Sequence, residues 1–117
     1  MRPIAFIAAL LALLAAPAAA LAHAHLDHAV PAVGSTVAAA PPDVTIYFTQ
    51  NLEPAFSSVE VTDASGAAVS QGKPQITGNT MKIAVKAAAP GTYTVHWHAV
   101  SVDTHKTEGI FTFSVAK

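Results

Sequence analysis

From Val44 onward the chain alternates apolar and polar residues in short runs, and that period of two decides what it can fold into. Val44, Ile46 and Phe48 share one face, with Thr45 and Tyr47 opposite. Val59 and Val61 repeat the pattern, as do Met81, Ile83 and Val85. Tyr93, Val95, Trp97 and Ala99 form the longest run, and Phe111, Phe113 and Val115 close the chain. In an extended backbone neighbouring side chains point to opposite faces, so each run has one apolar face that must be buried. Turn chemistry separates the runs at Pro41-Pro42, Asp63-Ala64-Ser65-Gly66, Gly72-Lys73-Pro74, Gly78-Asn79 and Pro90-Gly91. Asn51 to Phe56 contains Pro54 and lacks alternation, which reads as an irregular loop, and Ala87 to Ala89 reads as a tight connection. No window of comparable length has a helical period. The pattern predicts an all-β domain, an antiparallel sandwich or a small barrel.

The beginning of the chain obeys different rules. Arg2 gives a positive start, Ile4 to Leu14 an apolar stretch, and Ala20-Leu21-Ala22 a small-x-small cleavage pattern, so residues 1–22 read as a removable signal peptide. A second such pattern, Ala22-His23-Ala24, places the new terminus at His25 instead of His23. A membrane anchor fits less well, because Pro17 interrupts a stretch that would need roughly 20 apolar residues. Residues 23–117 then suffice for one domain with a single core, soluble after cleavage. This region has five lysines against seven acidic residues and no basic stripe, which argues against a nucleic-acid partner. Cysteine is absent, so packing alone must hold the fold, and thiolate metal sites and cysteine nucleophiles are excluded.

The chain's six histidines fall into two groups: His23, His25 and His28 at the processed end, and His96, His98 and His105 far downstream. Cleavage before His23 would give one residue both a free α-amine and an imidazole, a chelating pair suited to Cu(II). In the Ser101-Val102-Asp103-Thr104-His105 segment, Asp103 and His105 stand two apart and in extended backbone point the same way. Together with His23 they offer three nitrogens and one oxygen, provided that the terminus docks beside this segment. The alternative for Asp103 and His105 is a capped turn with a surface histidine. His25 would stand third after cleavage and offers either a competing terminal binding mode, an accessory contact or nothing. His28 reads as a surface residue. His96 and His98 lie on the face opposite Trp97, open either to solvent or to an accessory metal role. Glu53 and Glu108 are free to approach the site, while Trp97 and Met81 read as core. Ser101, Asp103 and His105 in a row do not make a hydrolytic triad, whose members converge from separate parts of a fold.

Taken together, His23-Ala24-His25-Leu26, Pro31, Gly34, the Val44-to-Thr49 strand, Gly91-Thr92-Tyr93, Trp97-His98-Ala99-Val100-Ser101-Val102-Asp103-Thr104-His105, Gly109 and Phe111 to Phe113 resemble the CopC-type periplasmic copper-binding proteins. The resemblance covers nearly all of residues 23–117. It implies a Greek-key β-barrel or sandwich of about seven strands, cupredoxin-like or immunoglobulin-like. It also implies a Cu(II) site of His23, Asp103 and His105, with His25 as a possible accessory, in a protein of the periplasm. The role it implies is non-enzymatic: sequestering or delivering copper, in tolerance or homeostasis. An alternative is donation to a separate membrane copper importer; a copper monooxygenase-like enzyme or a purely structural immunoglobulin-like module fits less well. Some relatives add a methionine-rich Cu(I) segment, since thioethers select that ion. Here Met81 alone follows the leader, so no comparable Cu(I) site is expected.

Overall fold

The computed structural model describes residues 23–117; the expected signal peptide, residues 1–22, lies outside them. The strands are β1 (Leu26–Val30), β2 (Thr36–Val37), β3 (Asp43–Phe48), β4 (Ser58–Thr62), β5 (Ser70–Thr77), β6 (Thr80–Val85), β7 (Gly91–Val100) and β8 (Lys106–Val115), with the alternating runs in β3, β4, β6, β7 and β8. A single 3-10 turn, Pro54–Phe56, sits within the segment that lacks alternation. The strands form two four-stranded sheets, in the orders β1-β3-β6-β5 and β2-β8-β7-β4. Neither closes into a barrel, so the fold is a β-sandwich. Every pairing is antiparallel except that of the two-residue β2 with β8.

The buried faces follow the period of two. Val44, Ile46 and Phe48 from β3 and Met81, Ile83 and Val85 from β6 line one inner face. Val61, Tyr93, Val95, Trp97, Ala99, Phe111, Phe113 and Val115 line the other. Phe48 meets Trp97 edge to face across the interface, with ring centroids 5.0 Å apart and planes at 76°. Tyr93 stacks on Phe113 at 5.4 Å, and its hydroxyl donates to the Ala89 carbonyl at 2.5 Å. The buried aromatic thereby keeps a partner for its one polar atom and pins the connection before Pro90-Gly91.

Two strands depart from the expected layout. Alternation did not mark β1 or β5, and Gly72-Lys73-Pro74, expected as a turn, lies inside β5. The pairing of β5 with β6 shifts register between Gln71 and Gln75, so Pro74 sits where no ladder hydrogen bond is needed. Proline and bulges are tolerated there because β5 is an edge strand with only β6 beside it. Gly72 has φ of +71°, a left-handed conformation natural to glycine at such a bulge.

The longest pairing joins β7 to β8 over ten residues, Gly91 opposite Val115 through Val100 opposite Lys106. Trp97 stands opposite Gly109 in that register, and its indole lies against the glycine backbone. A Cβ at position 109 would come within 2.5 Å of the indole Cζ2 and 2.7 Å of Cε2. Glycine is thus required by close approach. Gly109→Ala is expected to destabilise the protein by about 1–3 kcal/mol through overpacking, and Trp97→Ala by about 3–5 kcal/mol through loss of a large buried aromatic. Denaturant melts measure both. Wild-type stability in Gly109→Ala would show that the indole is free to move aside.

Candidate metal centre

At one end of the sandwich, β7 turns into β8 through the five residues Ser101–His105. The Ser101 amide donates to the His105 carbonyl at 3.0 Å, and the Thr104 amide donates to the Ser101 carbonyl at 2.8 Å. Thr104 takes φ of +73°, a region that a β-branched residue rarely enters. Residues 51–53 brace the loop from the side: the Asn51 carbonyl accepts from Val102 at 3.1 Å, and the Glu53 amide donates to Val100 at 2.7 Å. Asp103 and His105 are therefore neighbours by way of a turn and not, as expected, by extended backbone. The Asp103 carboxylate lies 3.2 Å from His105 Nδ1, with both side chains about half exposed.

Buried Ser101 supplies the next layer. Its hydroxyl donates to Asp103 Oδ1. This hydrogen bond, followed by the interaction with His105, holds the Asp103 carboxyl below its ordinary pKa. Nothing in the sequence marked Ser101 for this role beyond its place two residues before the aspartate.

Residues 23–25 are tied to the same place. Ala24 is fully buried, and its carbonyl accepts from the Thr107 hydroxyl at 2.6 Å. Thr49, just past β3, holds the residues on either side. Its hydroxyl accepts from the His25 amide at 3.0 Å and donates to the His23 carbonyl at 3.3 Å, while its amide donates to the His25 carbonyl at 2.8 Å. These contacts set the His23 imidazole edge-on against that of His105, with centroids 4.4 Å apart at 74°. The His25 ring lies 6.1 Å from that of His23. His23, Asp103 and His105 are thus contiguous, and His25 is adjacent but exposed. Thr49 and Thr107, the clamp of this arm, carry no sequence signal; both look like ordinary strand threonines.

Other candidates lie elsewhere. His28 pairs with Asp27 at 2.7 Å and stacks on Tyr47 at 4.3 Å, on the outer face of β1 and β3. Met81 is fully buried in the core. Glu108 points to His96 and His98, contacting them at 3.1 and 3.0 Å. Among the described residues, His96, His98 and Glu108 are the group whose metal-binding atoms all fall within 4.8 Å of one another. The donors around His105 are adjacent without being so tightly drawn together. One of the expected donors, the His23 α-amine, is a peptide nitrogen in the full-length chain.

Because folding lowers the Asp103 pKa, the ionised carboxylate stabilises the native state above its ordinary value of about 3.9. That contribution is lost as pH falls through the lower folded value. Ser101→Ala is expected to move the Asp103 titration upward, as read by carboxyl-carbon NMR. A titration unchanged in Ser101→Ala would show that the hydroxyl is not what lowers it.

Residues 26–116 match the CopC domain family. The chain is 41% identical over 98 residues to protein YobA of Escherichia coli (strain K12), a match covering 80% of this chain and 79% of that protein. The structure of CopC from Methylosinus trichosporium OB3b superposes with a TM-score of 0.72 at 32% identity, covering 80% of this chain and 94% of the other. PcoC, a methionine-rich copper resistance protein from Escherichia coli, superposes with a TM-score of 0.71 at 36% identity, covering 80% and 99%. With the sandwich, the Trp97-to-His105 hairpin and nearly all of residues 23–117 accounted for by one family, the chain belongs to the CopC family.

Proposed function

We propose that this protein is exported to the periplasm, loses residues 1–22, and binds one Cu(II) through the amine and imidazole of His23 together with Asp103 and His105. Its role is to sequester copper or pass it to another protein, such as a membrane transporter or a second periplasmic copper protein. The observation that carries this reading is the docking of the N-terminal arm, which lays His23 against His105. The donor set fits the ion: Cu(II) favours tetragonal nitrogen and oxygen coordination. The Asp103 carboxylate, accepting from the buried Ser101 hydroxyl, is held in place beside His105.

The same contacts favour His23 over His25 as the processed residue. Cleavage before His25 would delete Ala24, which fills part of the core and is anchored by Thr107. They also disfavour a competing site built from the amine, two backbone amides and His25. Such a site needs the His25 amide, which donates to Thr49, and would have to pull Ala24 from its buried place. Cu(I) has little to hold it, since cysteine is absent and Met81 is buried. When bound, the metal is cargo; what the chain supplies is a chelating end, a braced loop and a hydroxyl that holds the carboxylate ready.

Competitive titration tests the reading. One Cu(II) per chain is expected to bind more tightly than any Cu(I), and Asp103→Ala or His105→Ala should each weaken Cu(II) by about 100-fold or more, beyond what loss of a ligand's hydrogen-bond partner costs. His105→Ala should melt like the wild type, because its side chain stands in an exposed loop, whereas Asp103→Ala should also lose the modest stabilisation that its carboxylate gives by accepting from Ser101.

The α-amine has an ordinary pKa of about 7.7–8.0 and must be deprotonated to bind. Copper affinity should therefore fall as pH drops below that range, and binding should release protons. One extra residue before His23, or acetylation of its amine, should cost orders of magnitude in affinity with every histidine still present. Unchanged affinity in the blocked protein would remove the amine from the site and leave His25, His98 and His105 as the better candidates.

A further inference from the structure

The outer face of the β7–β8 hairpin carries a second cluster of metal-binding side chains that shares no residue with the centre just described. His96 and His98 alternate with inward-facing Trp97, so both imidazoles project from the outer face of the sheet. In the β7–β8 register Glu108 stands directly opposite His98 and diagonal to His96. One carboxylate oxygen, Oε2, lies 3.1 Å from His96 Nε2 and 3.0 Å from His98 Nε2. The two rings are tilted 39° apart with centroids at 4.6 Å.

We propose that His96, His98 and Glu108 form a second, solvent-facing site for a divalent transition-metal ion of the Zn(II) or Cu(II) class. Ligand atoms about 2.0–2.2 Å from a tetrahedral ion stand roughly 3.3–3.5 Å from one another. The two nitrogen–oxygen separations are already close to that spacing, and all three donors fall within 4.8 Å. Small rotations of the side chains therefore suffice, with no change in the ten-residue ladder beneath them. Two imidazoles and a carboxylate suit borderline ions; the set is too nitrogen-rich for Ca(II) or Mg(II) and lacks the sulfur that selects Cu(I). Three protein ligands on an open face leave a coordination position to water, as in exchangeable sites and unlike closed structural ones.

The surroundings agree. Exposed Glu60 on β4 stands opposite His96 and adds a second negative charge. Lys106, two residues before Glu108 on the same face, is the cation nearest in register.

The test uses Zn(II) as the probe and protein carrying both Asp103→Ala and His105→Ala, so that failure of the first site cannot be mistaken for failure of the second. Calorimetry should find one saturable Zn(II) equivalent, and NMR should show the imidazole signals of His96 and His98 shifting together. Adding His98→Ala or Glu108→Gln should weaken that binding by about ten-fold or more, while thermal melts stay unchanged. The proposal fails if the double variant shows no saturable Zn(II) binding. It fails equally if His98→Ala and Glu108→Gln leave the affinity intact, or if only His23, His25 or His28 signals respond. In either of the latter cases the trio is a cross-strand hydrogen-bonded pairing and nothing more.

Discussion

The ten-residue ladder between β7 and β8 is the constraint on which the rest depends, and the indole of Trp97 resting on Gly109 fixes its register. A slip by one residue would turn Tyr93, Val95, Trp97 and Ala99 outward and bring His96 and His98 into the core. Such a slip would also drive a side chain into the space that only Gly109 leaves open. With the register locked, three consequences follow together. The sheet's apolar face meets β3 and β6, the hairpin loop emerges at Ser101–His105, and Glu108 comes to rest across from His98. Core and candidate sites are thus products of one pairing.

The second requirement is that two segments far apart in the sequence meet. His23 and His105 are separated by most of the domain, yet their rings touch. The junction is made by two hydroxyls and a methyl group: Thr49 and Thr107 hold the backbone of residues 23–25, and Ala24 fills a hollow beneath. None of these groups is itself a metal donor. They order residues 23–25 beforehand, so an ion bound there would cost less conformational entropy than one bound by an unheld segment.

Much of this was legible in the residues. The inward faces of β3, β6, β7 and β8 follow from alternation alone, because in a sandwich burial is decided one strand at a time. β1 and β5 were not legible. Leu26-Asp27-His28-Ala29-Val30 has a single buried residue, Ala29, and β5 carries Gly72 and Pro74 at an edge where such residues are tolerated. For the site, His23 does lie beside His105 and His105 beside Asp103, but the last two are not brought together by the extended backbone that the spacing suggests. The backbone there turns through a left-handed Thr104 and does not run straight. Thr49, Thr107 and Ser101 were invisible because a hydroxyl's partner depends on tertiary contacts that no local pattern encodes. The pairing of His96 and His98 with Glu108 was half visible: the two histidines shared a face, but their partner awaited the register.

The hydrophobic cluster that closes the sandwich contains none of the six side chains proposed to bind metal. Small domains such as zinc fingers are unfolded until their ion arrives, so for them an empty state is also a protease-sensitive one. This chain's interior is complete with aliphatic and aromatic groups alone. An ion bound at either proposed site would therefore depart without exposing apolar surface, and the emptied protein would need no refolding before loading again. On that reading its lifetime would be uncoupled from metal supply, the same molecule serving through many rounds of scarcity and excess.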